Sequence, residues 1–100
     1  MMVAYQVVYW RDIPAQVKLH AGRERLARPL SERFQQAIDA AAMRAGLAES
    51  DAYLAEWRSS DWQERDGPMA DLAAALVAEL ESDYPDDRLT ALAARGGRGS

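Results

Sequence analysis

The first part of the chain alternates between apolar and polar residues in two stretches, which predicts a β-hairpin. Residues 3–10 are rich in β-branched and aromatic side chains and have apolar groups on both faces, as an inner strand does. Ile13-Pro14 ends this strand, because proline cannot donate to a ladder and restricts the residue before it. Residues 16–20 alternate again with one apolar face, and residues 23–28 are left open between an extension of this strand and a loop.

Two later stretches carry apolar residues at helical spacing. The first helix is predicted from Ser31, whose hydroxyl can accept from free backbone amides, to Gly46, which can take the left-handed conformation. The second helix is predicted to begin near Pro68 and to end before Pro85. The two apolar stripes consist of Phe34, Ile38, Ala41, Ala42 and Ala45, and of Met69, Leu72, Ala73, Leu76, Val77 and Leu80.

Residues 51–65 fit both a strand and a helix, because their aromatic residues have alternating and helical spacing at once. Tyrosine and tryptophan favour sheets, so we predict a third strand here. Residues 87–95 can form a short last helix. The glycine-rich residues 96–100 predict a disordered tail after a single domain of residues 1–95.

The order of elements, β-β-α-β-α with a short C-terminal helix left open, predicts an α+β fold. We expect a two-layer sandwich in which a three-stranded, mainly antiparallel sheet carries two amphipathic helices on one face. Burying one Leu or Phe contributes roughly 1.5–3 kcal/mol, so the two apolar stripes are sufficient to hold the layers together.

Composition narrows the class of protein. The chain has 100 residues, a net charge of −4 and no cysteine. Disulfides, thiolate zinc sites, iron–sulfur ligation and cysteine nucleophiles are therefore excluded. The longest apolar run is far shorter than a membrane span of about 20 residues, and the N-terminus lacks the basic start of a signal peptide. We expect a cytoplasmic protein with no metal or cofactor and with no membrane or specific nucleic-acid partner.

The charge is distributed unevenly along the chain. Residues 11–33 carry six basic and three acidic side chains, a net charge of +3 that leaves −7 for the remainder. Two interpretations stay open: a local basic face, and arginines solvated along a sheet edge.

Catalytic motifs are scarce in this sequence. His20 is the only histidine, and with Glu24 it could form an acid–base pair. No glycine-rich phosphate loop and no G-x-S-x-G motif occurs. We assign no catalytic residue, and an enzyme that uses His20 is the third of our functional hypotheses.

Tryptophan is followed directly by arginine at residues 10–11 and again at residues 57–58. Tryptophan and arginine are enriched in protein-binding hot spots, and a guanidinium can hold a carboxylate or a phosphate. Packing of the indoles in the core is the alternative interpretation. The candidate binding residues are Trp10, Arg11, Asp12, Trp57, Arg58 and Trp62, whereas an anion site would use Arg11, Arg23, Arg25 and Arg58.

The segments YWRDIPAQV, GRER, LSERFQQAIDAAAMRAGL and DAYLAEWR occur in this order. Together they resemble the bacterial virulence factor domain family over about residues 4–92. The family motifs YWRDIPAQV and EWR map onto Tyr9, Trp10, Arg11, Asp12, Ile13, Pro14, Gln16, Glu56, Trp57 and Arg58.

The same domain occurs in larger conserved virulence factor C proteins, beside an Nfu-type N-terminal domain, which implies a connection with iron–sulfur biogenesis. This chain departs from that implication, because without cysteine it cannot be a cluster scaffold. The resemblance also implies a link to corrinoid and folate one-carbon metabolism, and it carries no catalytic residue over to this chain.

The leading hypothesis is a non-catalytic binding or accessory module that docks on a larger protein through its Trp and Arg residues. The alternative is a small domain that binds an anionic ligand. A homodimer through an exposed sheet edge is a further hypothesis.

Overall fold

The structure, a computed structural model, describes residues 2–48 and 50–99. The strands in this part of the chain are β1 (Met2–Trp10), β2 (Ile13–Ala21), β3 (Glu24–Pro29), β4 (Trp57–Ser59) and β5 (Gln63–Asp66). The helices are α1 (Glu32–Arg44), α2 (Asp51–Ala55), α3 (Met69–Asp83) and α4 (Asp86–Ala94). The expected α+β class is confirmed, and the segment that the sequence left open before the first helix is a strand.

The strands form one antiparallel sheet in the order β3-β2-β1-β4, and β5 also pairs with β1. β1 is therefore an inner strand, as its two apolar faces predict. The β1–β2 register shifts by a bulge-type irregularity between Val8 and Tyr9, near the hairpin turn.

The single strand predicted over residues 51–65 is wrong. Its first part is the short helix α2, because the Ser50 hydroxyl accepts a hydrogen bond from the Tyr53 amide at 3.3 Å and caps a turn. The remainder divides into β4 and β5, which lie along different parts of β1. Ser60 bridges the gap between them: its amide donates to the Val7 carbonyl at 2.8 Å, and its hydroxyl accepts from the Val7 amide at 2.9 Å. The sheet of the described chain thus has five strands instead of three.

Two apolar clusters join the helices to the sheet. In the first, α3 packs on the sheet face that carries Val3, Val7, Val17 and Leu19. In the second, α1 and α4 surround the end of the β1–β2 hairpin, with a core of Trp10, Ile13, Leu30, Phe34, Ile38, Ala41, Leu89 and Leu92. We expected two helices on one sheet face. In the structure, α3 contacts β2 and β3, whereas α1 contacts α4 and β2.

The first helix begins and ends where the sequence predicts, but its N-terminal cap differs. Ser31 is at the cap position, yet its side chain makes no cap hydrogen bond. Its hydroxyl and its amide instead donate to the Glu81 carboxylate of α3, at 2.8 and 2.7 Å. Arg33 donates to the same carboxylate at 3.0 Å. The Glu81 side chain of α3 therefore holds the start of α1. At the other end of α1, Gly46 has the expected positive φ.

The segment after α4 packs against the hairpin and differs from the disordered tail expected for residues 96–100. Gly96 and Gly97 are buried, and the Asp12 amide donates to the Gly97 carbonyl at 2.9 Å. Gly97 has a φ of +92°, and a Cβ there would come within 2.9 Å of the Trp10 ring. Only glycine fits this approach. The last residue of the chain lies outside the described part.

The Glu81 contacts make the stability of the fold depend on pH. Burial opposes ionisation of this carboxyl, but the hydrogen bonds from Ser31 and Arg33 outweigh it and lower the pKa of Glu81. The resulting stabilisation is complete above the unfolded-state pKa of about 4.3 and is lost as the pH falls through the folded-state pKa. We expect Glu81→Gln to reduce the free energy of unfolding near neutral pH by about 1–2 kcal/mol.

Urea unfolding of the native chain and of Glu81→Gln, measured at neutral and at acidic pH, tests this expectation. The stability difference between the two proteins should shrink in acid. Glu64→Gln removes the same charge from an exposed position without an ion pair among the described residues and is the control. A Glu81→Gln deficit that stays constant with pH would contradict the assigned role of the carboxylate.

Candidate functional site

The two Trp-Arg pairs lie side by side, as the sequence hypothesis requires. In the β1–β4 ladder, Trp10 is opposite Trp57 and Tyr9 is opposite Arg58. We call this region, with Arg11 and Asp12 in the hairpin turn, the Trp-Arg corner. It is one of two candidate surfaces on the domain.

Arg11 is held tightly inside the Trp-Arg corner. Its side chain is only 12% exposed, and its backbone has a φ of +53°, an uncommon value for a residue with a side chain. Its Nη1 donates to the Gly96 carbonyl at 3.0 Å, and its Nη2 contacts the Glu56 carboxylate at 3.3 Å. Arg11 therefore joins the hairpin turn to α2 and to the segment after α4.

Arg58 and Asp12 form the outer part of the corner. Arg58 Nε donates to the Arg11 carbonyl at 2.9 Å, and its guanidinium lies 4.5 Å from the centroid of the Tyr9 ring. Its Nη2 is 3.4 Å from Asp12 Oδ1, while Asp12 Oδ2 accepts from the Gly99 amide at 2.6 Å. Although Arg58 is 52% exposed, its Nε and Nη2 already have partners within the chain.

The three tryptophans have different surroundings. Trp10 is fully buried, and its indole N–H donates to the Tyr53 carbonyl at 2.9 Å. Trp57 is partly buried, and its ring packs edge-on against that of Tyr53, with centroids 6.2 Å apart. Trp62 is 47% exposed and lies near the middle of β1, because the next residue, Gln63, is opposite Tyr5. The structure therefore does not bring Trp62 together with the other five candidate residues.

The second candidate surface is a groove of about 480 Å³ on the sheet face opposite the α3 cluster. We call it the sheet groove. It is an open depression, not an enclosed cavity, and its lining residues are Gln6, Lys18, Leu19, Arg25, Leu26, Ala27 and Trp62. Of these, the sequence hypotheses named only Arg25 and Trp62. The alternation that put Gln16, Lys18 and His20 on the polar face of β2 was the signal that could have identified Lys18.

His20 belongs to the edge of the sheet groove and not to an acid–base pair. Its ring packs edge-on against Trp62, with centroids 4.6 Å apart, and it is opposite Arg25 in the β2–β3 ladder. Glu24 is opposite Ala21, so its side chain projects from the other face of the sheet. The predicted partnership of His20 with Glu24 is therefore not formed.

The four arginines of the anion hypothesis do not converge on one site. Arg58 is opposite Tyr9, whereas Arg25 is level with Ala4 through His20. Five strand residues, or about 17 Å, separate these two levels along β1. Arg11 belongs to the first level, and Arg23 lies in the turn before β3.

The cations at the two ends of β1 also differ in their pairing. Arg11 and Arg58 have carboxylate partners at the Trp-Arg corner. Lys18, Arg23 and Arg25 are exposed and form no ion pair among the described residues. Lys18 and Arg25 project from the groove face, whereas Arg28 projects from the other face of the edge strand β3, so the basic segment is not gathered on a single face.

Residues 2–48 and 50–99 contain no group of three or more His, Asp or Glu side chains suited to a metal ion. No helix in them combines the length and the apolar character needed to cross a membrane.

The structure defines a small α+β domain. The arginines of its Trp-Arg corner are hydrogen-bonded within the chain, and the sheet groove lies on the sheet face that no helix of the described residues covers. A family model described as "Virulence factor" matches residues 8–93. Because this match spans most of the chain and includes both Trp-Arg motifs, the protein belongs to the virulence factor domain family. No curated protein and no solved structure matches the chain.

The contacts of Arg11 predict a structural role that can be measured. Arg11→Ala removes the hydrogen bonds to Gly96 and Glu56 but keeps the unfavourable positive φ, so we expect a loss of about 2–3 kcal/mol in the free energy of unfolding. Arg11→Gly removes the same hydrogen bonds and relieves the backbone cost, and it should be more stable than Arg11→Ala by about 1 kcal/mol.

Thermal and urea unfolding of both variants measure this difference, with Arg44→Ala as the control. Arg44 is exposed and without an ion pair among the described residues, so its replacement should change stability little. If both Arg11 variants unfold like the native chain, the side chain is not structural and the recognition hypothesis for the corner regains support.

Proposed function

We propose that this domain is a non-catalytic binding module that docks an acidic segment of a larger protein in the sheet groove. One observation carries the proposal: an exposed indole, Trp62, lies beside Lys18 and Arg25, two cations without an ion pair in the described chain. Aromatic and cationic side chains with free surface are typical of protein-binding hot spots.

The sheet groove is a better binding surface than the Trp-Arg corner. A partner at the corner would have to replace the contacts that Arg11 and Arg58 make with Glu56 and Asp12. Breaking the charged hydrogen bond of the mostly buried Arg11 costs about 1.5–3 kcal/mol, and breaking the exposed Arg58–Asp12 pair costs about 0–1 kcal/mol. At the sheet groove, Lys18 and Arg25 can bind a carboxylate without losing an internal partner.

The shape of the sheet groove favours a segment of a protein over a small ligand. Sites for small molecules enclose 70–90% or more of the ligand surface. This groove is open along the sheet, with Gln6 and Lys18 on its floor and Trp62 at one side. An extended acidic segment can lie in such a depression, with a side chain against the indole and carboxylates at Lys18 and Arg25.

The link to corrinoid and folate one-carbon metabolism remains a prediction from the family resemblance. Enzymes of that metabolism are the first larger proteins to test as partners. A partner protein with an exposed acidic segment would satisfy both the resemblance and the charge of the groove.

Nuclear magnetic resonance titration of the labelled domain with a hexaglutamate peptide tests the proposal. We expect the signals of Gln6, Lys18, Arg25 and the Trp62 indole to shift together and the shifts to weaken with salt. Arg25→Glu should weaken binding about tenfold or more, since an attraction of about 1 kcal/mol becomes a repulsion.

Arg44→Glu is the matched control, because it makes the same charge change at an exposed position on α1. It should bind the peptide like the native chain. Pyrophosphate in a parallel titration represents the small-anion hypothesis, which is favoured if it saturates the groove at a lower concentration than the peptide. If neither probe shifts the groove signals, the proposed function is wrong.

A further inference from the structure

β3 is an edge strand with a free side. It pairs with β2 on one side, and in the described chain no strand lies on the other. Most of its residues are exposed, and its outer backbone groups are available to another strand. From this edge we infer a second interaction surface, separate from the sheet groove: two copies of the chain pair through β3 to form a symmetric dimer with one continuous sheet.

The side chains of β3 alternate between two faces. Glu24, Leu26 and Arg28 are opposite Ala21, Leu19 and Val17, so they project from the face that α3 covers. Arg25 and Ala27 project from the other face, where both line the sheet groove. Neither Glu24 nor Arg28 has an ion pair among the described residues, and Leu26 is only partly buried.

This pattern complements itself when the strand meets a second copy in antiparallel orientation. With Leu26 opposite Leu26 of the second copy, Glu24 is opposite the second copy's Arg28, and Arg28 is opposite its Glu24. The pairing forms two equivalent cross-strand ion pairs and joins two partly buried leucines on the helix side of the sheet. Both copies then have their helices on the same side.

A shift of one residue destroys this complementarity. It places Arg25 opposite Arg28 of the second copy and turns the helix side of one copy towards the groove side of the other. The like charges would repel each other, and Leu26 would lose its apolar neighbour. The sequence of β3 therefore favours the register centred on Leu26 over this shifted one.

α3 supplies a second contact near the proposed two-fold axis. A groove of about 480 Å³ separates α3 from the end of β3, and the exposed alanines Ala70, Ala74 and Ala78 lie along it at intervals of one helical turn. α3 packs over β2 and β3, so it lies about one strand spacing from the axis. The two α3 helices would then be about 10 Å apart, close enough for small side chains to pack.

Sedimentation velocity over a concentration series tests the dimer through charge reversal. The native chain should dimerise, whereas Glu24→Arg and Arg28→Glu should each weaken the dimer at least tenfold, because each variant creates two like-charge pairs. An equimolar mixture of the two variants should restore the dimer as a heterodimer, and so should the double variant Glu24→Arg/Arg28→Glu. This rescue excludes misfolding as the reason for the loss.

Glu64→Arg is the control, because it changes the charge by the same amount on β5, at the opposite edge of the sheet. It should leave the dimer intact. The inference is overturned if the native chain stays monomeric throughout the series, or if its dimer is insensitive to both β3 reversals. Repeating the peptide titration on the monomeric Glu24→Arg variant separates this result from the proposed function, since the groove side chains are unchanged there.

Discussion

The burial of Trp10 at the end of the β1–β2 hairpin is the constraint on which the rest of the structure depends. The ring is fully buried, its N–H is satisfied by the Tyr53 carbonyl of α2, and Gly97 lies close against one edge of it. A buried indole needs both apolar contact and a hydrogen-bond acceptor. Meeting both needs brings the hairpin, the α2–β4 segment and the end of the chain to one place, although they are far apart in sequence.

This arrangement also explains how the charges are divided between the two ends of the sheet. At the Trp-Arg corner, Arg11 and Arg58 are used to hold chain segments together, through Glu56, Asp12 and backbone carbonyls. At the other end, the exposed cations of β2 and β3 have no such partners in the described chain. Residues of one type therefore have a structural role at one end and a binding role, in our proposal, at the other.

The two proposed surfaces are compatible because a strand presents alternate residues to opposite faces. On β3, Arg25 and Ala27 face the sheet groove, while Glu24, Leu26 and Arg28 face the helix side. Pairing of two copies through this edge would leave both grooves uncovered and place them on one continuous sheet face. Two linked binding sites bind a partner with repeated acidic segments more tightly than either site alone.

The sequence by itself determined the elements whose pattern is local: the first hairpin, both amphipathic helices and the positive φ of Gly46. Tertiary contacts decided the rest. The carbonyl of Tyr53, in the helix that Ser50 caps, accepts from the buried Trp10 indole. The Ser31 hydroxyl binds Glu81 because α3 passes beside it, and the last glycines pack against the hairpin. Strand propensity and capping preference differ between such alternatives by only about 1 kcal/mol, so contacts between segments distant in sequence outweigh them.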